Sequence, residues 1–162
     1  MDHTDRRSHL ATDDADGDRS LGTRGFSLTE VVTTLAIIAI LAAIAIPSYQ
    51  TQIRQGRRTD GQTALLNIAI AQERFRANCN RFADTLAGTR HCGDGESATS
   101  VLGLAASSAD GHYALALSGV GTSGFTASAS ALGDQTRDQS AGVSCATLTI
   151  DQDGHRTPLP CW

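Results

Sequence analysis

Four cysteines are the residues in this sequence whose chemistry is easiest to predict from residue type and spacing. They are Cys79, Cys92, Cys145 and Cys161, and no two of them form a CxxC pair. Structural zinc sites usually need two closely spaced ligand pairs, so this spacing argues against a metal centre. An even number of cysteines indicates disulfides, and four cysteines allow three pairings. Sequence proximity favours Cys79 with Cys92 and Cys145 with Cys161, each closing a short loop and stabilising the fold by roughly 3 kcal/mol.

The other chemically active side chains form no recognisable catalytic set. Serine, histidine and aspartate are all present, but no nucleophile elbow or comparable motif brings them together. Residues 151–154 (DQDG) match the first letters of a calcium-binding loop without a downstream glutamate, so a hairpin turn is the better interpretation. The glycine-rich residues 119–124 lack the lysine and the spacing of a phosphate loop. We therefore predict a protein that is not an enzyme and that holds no metal and no cofactor.

One carboxylate, Glu30, lies near the start of the longest apolar run. Residues 26–46 contain no other charge, and 21 residues at about 1.5 Å each match the roughly 30 Å of a bilayer's hydrocarbon core. A charge in a membrane costs roughly 2.5–3.5 kcal/mol at the centre and less near the interface, so it normally marks an interaction partner. The run, called the apolar span below, predicts a membrane-spanning helix, and Glu30 predicts a paired group within it.

Two simpler interpretations compete for this segment. Ser27 and Glu30 have the spacing of a capping box, which begins many ordinary helices. Residues 43–45 (AIA) have the small-x-small form of a signal-peptidase site, although Pro47 follows closely and six aspartates, with only four arginines, precede the run. Arginines flank the span on both sides, so their count does not set its orientation. All four cysteines follow the span, which predicts that this side faces an oxidising compartment.

Composition limits the rest of the chain to one small domain. The chain has 162 residues, is 40% hydrophobic, contains no lysine and carries a formal net charge of −4. This charge argues against a general nucleic-acid binder. Residues 1–25 are too polar to join a core, and roughly 115 residues remain after the span, enough for one globular head.

Periodicity predicts one long helix that continues beyond the apolar span. Pro47 removes a helical hydrogen bond and is expected to kink or locally open the helix. Afterwards one apolar stripe recurs at spacings of three and four up to about residue 80: Leu65, Ile68, Gln72, Phe75 and Cys79. The other faces carry charged residues that we expect to be wet, among them Arg54, Arg57 and Arg58.

A small antiparallel sheet should follow a long connection. Residues 80–111 are rich in glycine, serine and aspartate and predict an irregular segment with at most one short helix at 101–106. Alternating runs predict strands at 113–117, 125–132 and 143–150 and a short fourth strand at about 155–157. The predicted fold class is α+β, with the second half of a long N-terminal helix packed on about four strands.

The segment from Gly25 to Glu30 (GFSLTE), the span behind it and Pro47 resemble the type IV pilins and pseudopilins. The resemblance implies that a dedicated prepilin peptidase cleaves between Gly25 and Phe26 and N-methylates Phe26. It also implies that Glu30 pairs with the amino group of Phe26 of a neighbouring subunit during filament assembly, and that Pro47 kinks the helix.

Within this family, the chain most resembles the PilE-type minor pilins of the type IV pilus. Residues 145–154 and the final Cys161-Trp162 resemble the disulfide-closed carboxy-terminal loop of those proteins. The long acidic leader and the Cys79–Cys92 pair depart from that pattern. The implied organisation is a removed leader at 1–25, a transmembrane and filament-core helix at 26–46, and a periplasmic head at 47–162. The head would consist of the helix to about 80, a connecting loop at 81–111, and a meander with the carboxy-terminal loop at 112–162.

The resemblance implies a structural subunit, a minor pilin that is assembled into the filament or primes its assembly. It would be held as a single-pass protein in the bacterial inner membrane and later form part of a pilus at the cell surface. Its expected partners are other pilins, the prepilin peptidase, the inner-membrane pilus assembly machinery and, before assembly, membrane lipid. Nucleic acid is not an expected partner, because a DNA-uptake receptor pilin needs a basic head, whereas residues 91–162 hold two arginines and seven acids. Three competing hypotheses are a DNA-uptake receptor pilin, which the acidic head argues against, a type II secretion pseudopilin, which would typically lack the terminal cysteine loop, and a membrane-tethered binding module that never assembles.

Overall fold

The computed structural model describes residues 25–93 and 99–162. Residues 1–24 of the predicted leader lie outside the described residues. One long helix precedes all of the strands, and the elements in chain order are α1 (Leu28–Cys79), β1 (Tyr113–Ser118), β2 (Thr126–Ala131), β3 (Gln139–Ser140), β4 (Val143–Ser144), β5 (Thr147–Asp151) and β6 (Arg156–Thr157). Short 3₁₀ helices follow β2 and β6, at Gly133–Arg137 and Leu159–Cys161. The α+β class predicted from sequence is confirmed.

The chain divides into two structural units at Ile40 and Leu41, and α1 contributes to both. In the first unit, every described side chain from 25 to 40 is exposed. By length and composition, α1 could cross a membrane, and no residue of its most apolar window is buried. The surface of the described part of this unit is therefore mostly apolar, with aliphatic side chains predominating from residue 31 onward.

In the second unit, α1 buries the predicted stripe against the sheet. Leu65, Ile68 and Phe75 are at most 1% exposed, and the buried positions continue at the same spacing of three and four residues. Two of these buried positions carry no hydrophobic side chain. Arg58, which was predicted to face solvent, is buried. Gly61 lies so close to Tyr113 that a β-carbon there would come within 3.0 Å of the tyrosine ring.

Four strands form one antiparallel sheet in the order β1-β2-β5-β6. Inward side chains alternate along β1, β2 and β5, as period-two patterning requires, and include Tyr113 on β1 and Leu148 on β5. The central strand β2 contributes Ala127 and Ala129, both 0% exposed. Small side chains at the centre leave room for the large residues of α1, so the core lies between this helix and the sheet.

The strand predicted over 143–150 is divided in the structure. β4 pairs with β3 in a separate two-stranded sheet, whereas β5 joins the main sheet. The two residues between β4 and β5 form backbone hydrogen bonds with different segments of the chain. Cys145 N donates to Asp138 O at 2.8 Å, just before β3, whereas Ala146 O accepts from Ala131 N of β2 at 2.7 Å. The strand therefore changes partners at Cys145, the residue that a disulfide holds.

The connection, residues 80–111, contains no helix or strand in its described residues, and its segment 94–98 lies outside them. It begins at Asn80, whose left-handed backbone (φ 55°) ends α1, and Asn80 N donates to Arg76 O at 2.9 Å. Isolated bridges join Thr85 and His91 to Val101. The predicted irregular segment is thus ordered by scattered backbone pairs.

Candidate functional site

The residues predicted for processing and assembly lie at the start of α1. Phe26 is 79% exposed and precedes the helix, while Glu30 lies in its first turn. The first backbone hydrogen bond runs from Val31 N to Ser27 O at 3.1 Å. The Ser27 hydroxyl lies 2.9 Å from the Thr29 hydroxyl, so its side-chain bond there is local. Gly25 and Phe26 thus stand on an accessible segment directly before α1.

Two threonines interrupt the aliphatic side chains of the span without leaving polar groups unpaired. Thr33 Oγ1 donates to Glu30 O at 3.0 Å, and Thr34 Oγ1 donates to Val31 O at 2.9 Å. Such bonds to the preceding turn satisfy a hydroxyl inside the helix itself. The span can therefore enter an apolar environment with Glu30 as its only charge.

Pro47 lies inside α1, and the chain is helical on both sides of it. The Thr51 hydroxyl donates to Pro47 O at 3.1 Å, a bond within the helical turn that follows the proline. The kink expected at this position stays a prediction.

The four cysteines form two bonds, and these are the two pairs that proximity favoured. Cys79 joins Cys92 with α-carbons 5.5 Å apart, and Cys145 joins Cys161 with α-carbons 5.6 Å apart. Their surroundings differ. Cys145 and Cys161 are 0% exposed, whereas Cys79 is half-buried and Cys92 is exposed.

Arg58 and Asp138 form a bidentate ion pair inside the head. Arg58 donates from Nε to Asp138 Oδ2 at 2.7 Å and from Nη2 to Oδ1 at 2.8 Å, with side chains 10% and 1% exposed. The hydrogen bond from Asp138 raises the pKa of the Arg58 guanidinium, an effect that burial opposes. Two parallel N–H···O bonds fix geometry as well as charge. This pair therefore sets the position of the chain segment before β3 on α1.

Neutral side chains extend the pair into a polar network. Gln135 Nε2 donates to Arg54 O at 2.9 Å and to the Tyr113 hydroxyl at 3.0 Å. Burial raises the pKa of Tyr113, while the Gln135 hydrogen bond lowers it by less. One turn along α1 from Arg58, Gln62 Nε2 donates to Cys161 O at 2.7 Å. Together these contacts attach the carboxy-terminal region, residues 138–162, to α1.

The burial of Arg58 was not predicted, and the sequence carries only part of the signal for it. Arg58 and Gly61 stand seven residues before Leu65 and Ile68, so they continue the buried stripe backward. A stripe extended by one heptad would have placed both on the buried face. Nothing in the sequence around Asp138 marks it as the partner, because the contact joins residues 80 positions apart.

A second buried side chain attaches the connection to α1. Gln72 Nε2 donates to Ala83 O at 2.9 Å, and Ala83 N donates to Gln72 Oε1 at 2.8 Å. Gln72 and Ala83 are both 0% exposed. Gln72 belongs to the predicted stripe and occupies a position at which the spacing predicts a hydrophobic residue. Its amide pairs both backbone groups of Ala83, which could not otherwise be buried without cost.

The turn predicted at 151–154 joins β5 to β6. Asp151 Oδ1 accepts hydrogen bonds from Asp153 N and His155 N, each at 2.9 Å. Desolvation opposes ionisation of Asp151, but the hydrogen bonds from His155 and Asp153 outweigh it and lower its pKa. Carboxylate and ring atoms of these three residues lie within 4.8 Å of one another, a spacing that the bonds of the turn account for.

Comparison with known proteins agrees with this architecture. A family model described as "Type IV minor pilin ComP, DNA uptake sequence receptor" matches residues 47–149, and one described as "Prokaryotic N-terminal methylation motif" matches residues 22–46. The type IV major pilin protein PilA of Myxococcus xanthus is 38% identical over 61 residues, 38% of this chain and 28% of that protein. A fimbrial protein of Moraxella nonliquefaciens is 38% identical over 61 residues, 38% of this chain and 40% of that protein.

A third relative matches a shorter segment. The prepilin peptidase-dependent protein D of Escherichia coli is 51% identical over 37 residues, 23% of this chain and 25% of that protein. The chain thus spans less than half the length of each of these relatives.

Proposed function

We propose that this chain is a structural subunit incorporated in low copy into a type IV pilus, because it belongs to the type IV minor pilins. The model of that family matches residues 47–149. The family is a structural one, and no catalytic role is proposed. The function rests on position and packing, first in a membrane and then among other pilins.

The observation that carries this proposal is the exposed apolar surface of α1. Large aliphatic side chains of the span are mostly between 43% and 71% exposed, from Val31 to Ile44. A soluble monomer rarely exposes a continuous apolar surface of this kind. Lipid before assembly, and the helices of neighbouring pilins afterwards, would cover it. The protein would then lie in the inner membrane with its head in the periplasm. The periplasm is an oxidising compartment, in which both disulfides can form.

Processing at Gly25 prepares the segment for assembly. The methylation-motif model covers residues 22–46, and the bond between Gly25 and Phe26 lies outside α1, where a peptidase can reach it. Cleavage there would create an amino group at Phe26, four residues before Glu30. We propose that Glu30 of one subunit pairs with this amino group on a neighbour, which would offset the cost of a carboxylate in lipid.

Cleavage is tested by intact-mass analysis of membrane-extracted protein. Gly25→Val should leave the uncleaved chain in the membrane, whereas the unmodified protein should have the mass of residues 26–162 with one N-methyl group. Gly56→Ala is the matched control, because its position has no neighbouring atom within 4 Å of an added β-carbon. A mature terminus at Ile46 would instead show that a secretory signal peptidase acts on residues 43–45.

Assembly is tested separately with Glu30→Val. Removing an intramembrane charge should leave membrane residence unchanged but lower incorporation into pili by about tenfold or more, equivalent to about 1.4 kcal/mol of pairing. Glu73→Val, at an exposed position of α1 in the head, should assemble normally. Normal incorporation of Glu30→Val would refute the pairing role.

A second candidate function, DNA reception, is favoured by the description of the matched family model. The charges of the head weaken it. Residues 54–90 hold seven arginines and three acids, but three of those arginines are paired with carboxylates in the structure: Arg54 with Asp134, Arg58 with Asp138 and Arg81 with Asp84. Fluorescence anisotropy with duplex DNA at several salt concentrations distinguishes the two functions. A receptor should bind with steep salt dependence, whereas a purely structural subunit should not bind at physiological salt.

A further inference from the structure

We propose that the Cys79–Cys92 disulfide is a reversible redox latch, which thiol reductants open selectively while Cys145–Cys161 stays closed. The latch joins the last residue of α1 to the connection. The inference concerns the chemistry of the head and does not depend on whether the chain assembles into pili.

Access to the two bonds differs. An open depression of about 370 Å³ is lined by both cysteines of the first bond, together with Phe75, Asn78, Arg90 and His91. Cys92 is exposed, and Cys79, which is half-buried, lines the same open depression, so a reductant can reach the bond from there. Cys145 and Cys161 are both 0% exposed, so an attacking thiolate cannot reach them in the folded head. Thiol–disulfide exchange requires direct attack on a sulfur atom, and access is therefore the first determinant of its rate.

Charge around the first bond favours one direction of cleavage. The guanidinium-bearing Arg90 stands two residues before Cys92 and lines the same depression, and a cation near a cysteine stabilises its thiolate. Cys79 lies at the carboxyl end of α1, where the helix dipole disfavours negative charge. Attack on Cys79 Sγ therefore places the departing charge on the better leaving group, Cys92.

The reaction needs a dithiol reductant of the thioredoxin class. Its first thiolate attacks Cys79 Sγ, the S–S bond breaks, and the bonding electron pair leaves with Cys92 as a thiolate. The reductant's second thiolate then attacks the reductant sulfur of the mixed disulfide and releases the Cys79 thiolate. The protein disulfide gains two electrons and two protons, and the reductant becomes a disulfide.

Opening of the bond should be local, because backbone contacts hold the connection on either side of it. Leu102 N donates to Thr85 O at 2.9 Å, and Leu104 N donates to Leu86 O at 2.8 Å. His91 and Val101 exchange two backbone bonds at 3.1 and 3.2 Å. None of these bonds involves a cysteine. The head can therefore stay folded with the first disulfide open, which a reversible latch requires.

Arg90 lies beside the latch, in the part of the connection that contacts α1. Its guanidinium carbon lies 5.6 Å from the centre of the Phe75 ring, and a β-carbon on Gly103 would come within 2.9 Å of Arg90 Cβ. Arg90 is itself exposed, and its guanidinium lies near the buried Phe75 ring of α1. Opening the bond removes the covalent link between the last residue of α1 and the connection, while the backbone bonds between His91 and Val101 remain.

Timed reduction of the full detergent-extracted chain tests the proposal. Dithiothreitol is the reductant, new thiols are alkylated at intervals, and peptide mass mapping follows each cysteine. We expect Cys79 and Cys92 to become labelled at least about tenfold faster than Cys145 and Cys161. Oxidised glutathione should then restore the same pair. Equal rates, or simultaneous opening of both bonds in each molecule, would overturn the proposal.

Two further measurements separate a latch from a weak fold. Fluorescence of Trp162, the single tryptophan, should stay native while only the first bond is open. An unfolded spectrum at that stage would overturn the proposal. Arg90→Gln should slow reduction about threefold, whereas Arg90→Lys and the remote Arg57→Gln should keep the unmodified rate. An unchanged rate in Arg90→Gln would refute the assignment of Cys92 as the leaving group.

Discussion

The connection and the carboxy-terminal region are both closed by a disulfide and both attached to α1, but by different kinds of contact. The connection is held by Gln72 and by many backbone hydrogen bonds within itself, such as Asp84 N to Ser100 O at 2.8 Å. The carboxy-terminal region has its strand β5 paired with β2 in the main sheet, but its hydrogen bonds to α1 come from individual side chains, chiefly Arg58 and Gln62. Its last strand, β6, has only two residues.

This difference predicts which region tolerates damage. A region that holds itself through several backbone bonds should lose little when one contact is removed. A region held by single side chains should lose most of its attachment with one substitution, especially where a buried charge is left unpaired. Three substitutions test this expectation, and unfolding by denaturant, followed through Trp162 fluorescence of the detergent-extracted chain, measures all three.

The largest effect is expected for Asp138→Ala. It leaves the Arg58 guanidinium buried without its partner, which should lower the free energy of unfolding by about 3–5 kcal/mol. Asp134→Ala is the matched control, because Asp134 is 46% exposed and its pair with Arg54 should contribute only about 0–1 kcal/mol. Similar losses in the two variants would show that the buried pair does not hold the carboxy-terminal region.

An intermediate effect is expected for Cys161→Ser, about 2–4 kcal/mol. The two disulfides separate residues 13 and 16 apart, so loop closure contributes similarly to both. Cys161→Ser additionally buries a hydroxyl at a position with 0% exposure and releases a tail in which Pro158 and Pro160 cannot donate backbone bonds. Cys92→Ser, at an exposed position, should therefore cost about 1 kcal/mol less. A larger loss for Cys92→Ser would reverse the comparison.

The smallest effect is expected for Gln72→Ala, about 1–3 kcal/mol, because both backbone groups of Ala83 lose their partner in the core. The loss should be concentrated locally, so hydrogen exchange should accelerate at Ala83 before the C-terminal strands exchange. Gln52→Ala, at an exposed position of α1, should change neither measurement. Exchange that accelerates equally throughout the sheet would contradict independent attachment of the two regions.

Local features of this protein were predictable from sequence because each depends on near neighbours along the chain. The apolar span, the stripe from Leu65 to Phe75 and the turn after Asp151 follow from periodicity and turn chemistry. The two disulfide pairs also join cysteines that are close in sequence. The segment from Gly25 to Glu30 identified the family because its residues stand at fixed spacing before a span.

Only the tertiary structure decided the features that depend on distant residues. Arg58 is a charged residue on a helix face that was predicted to face solvent. It is buried because it pairs with Asp138, which lies 80 positions away in the sequence. Gly61 is a poor helix former by propensity, but it provides the space into which the Tyr113 ring packs. The strand break at Cys145 arises where two different partners compete for adjacent backbone groups. Sequence by itself determined what each segment prefers to form, since those preferences are local, whereas burial of charge and choice of strand partner required the packed core.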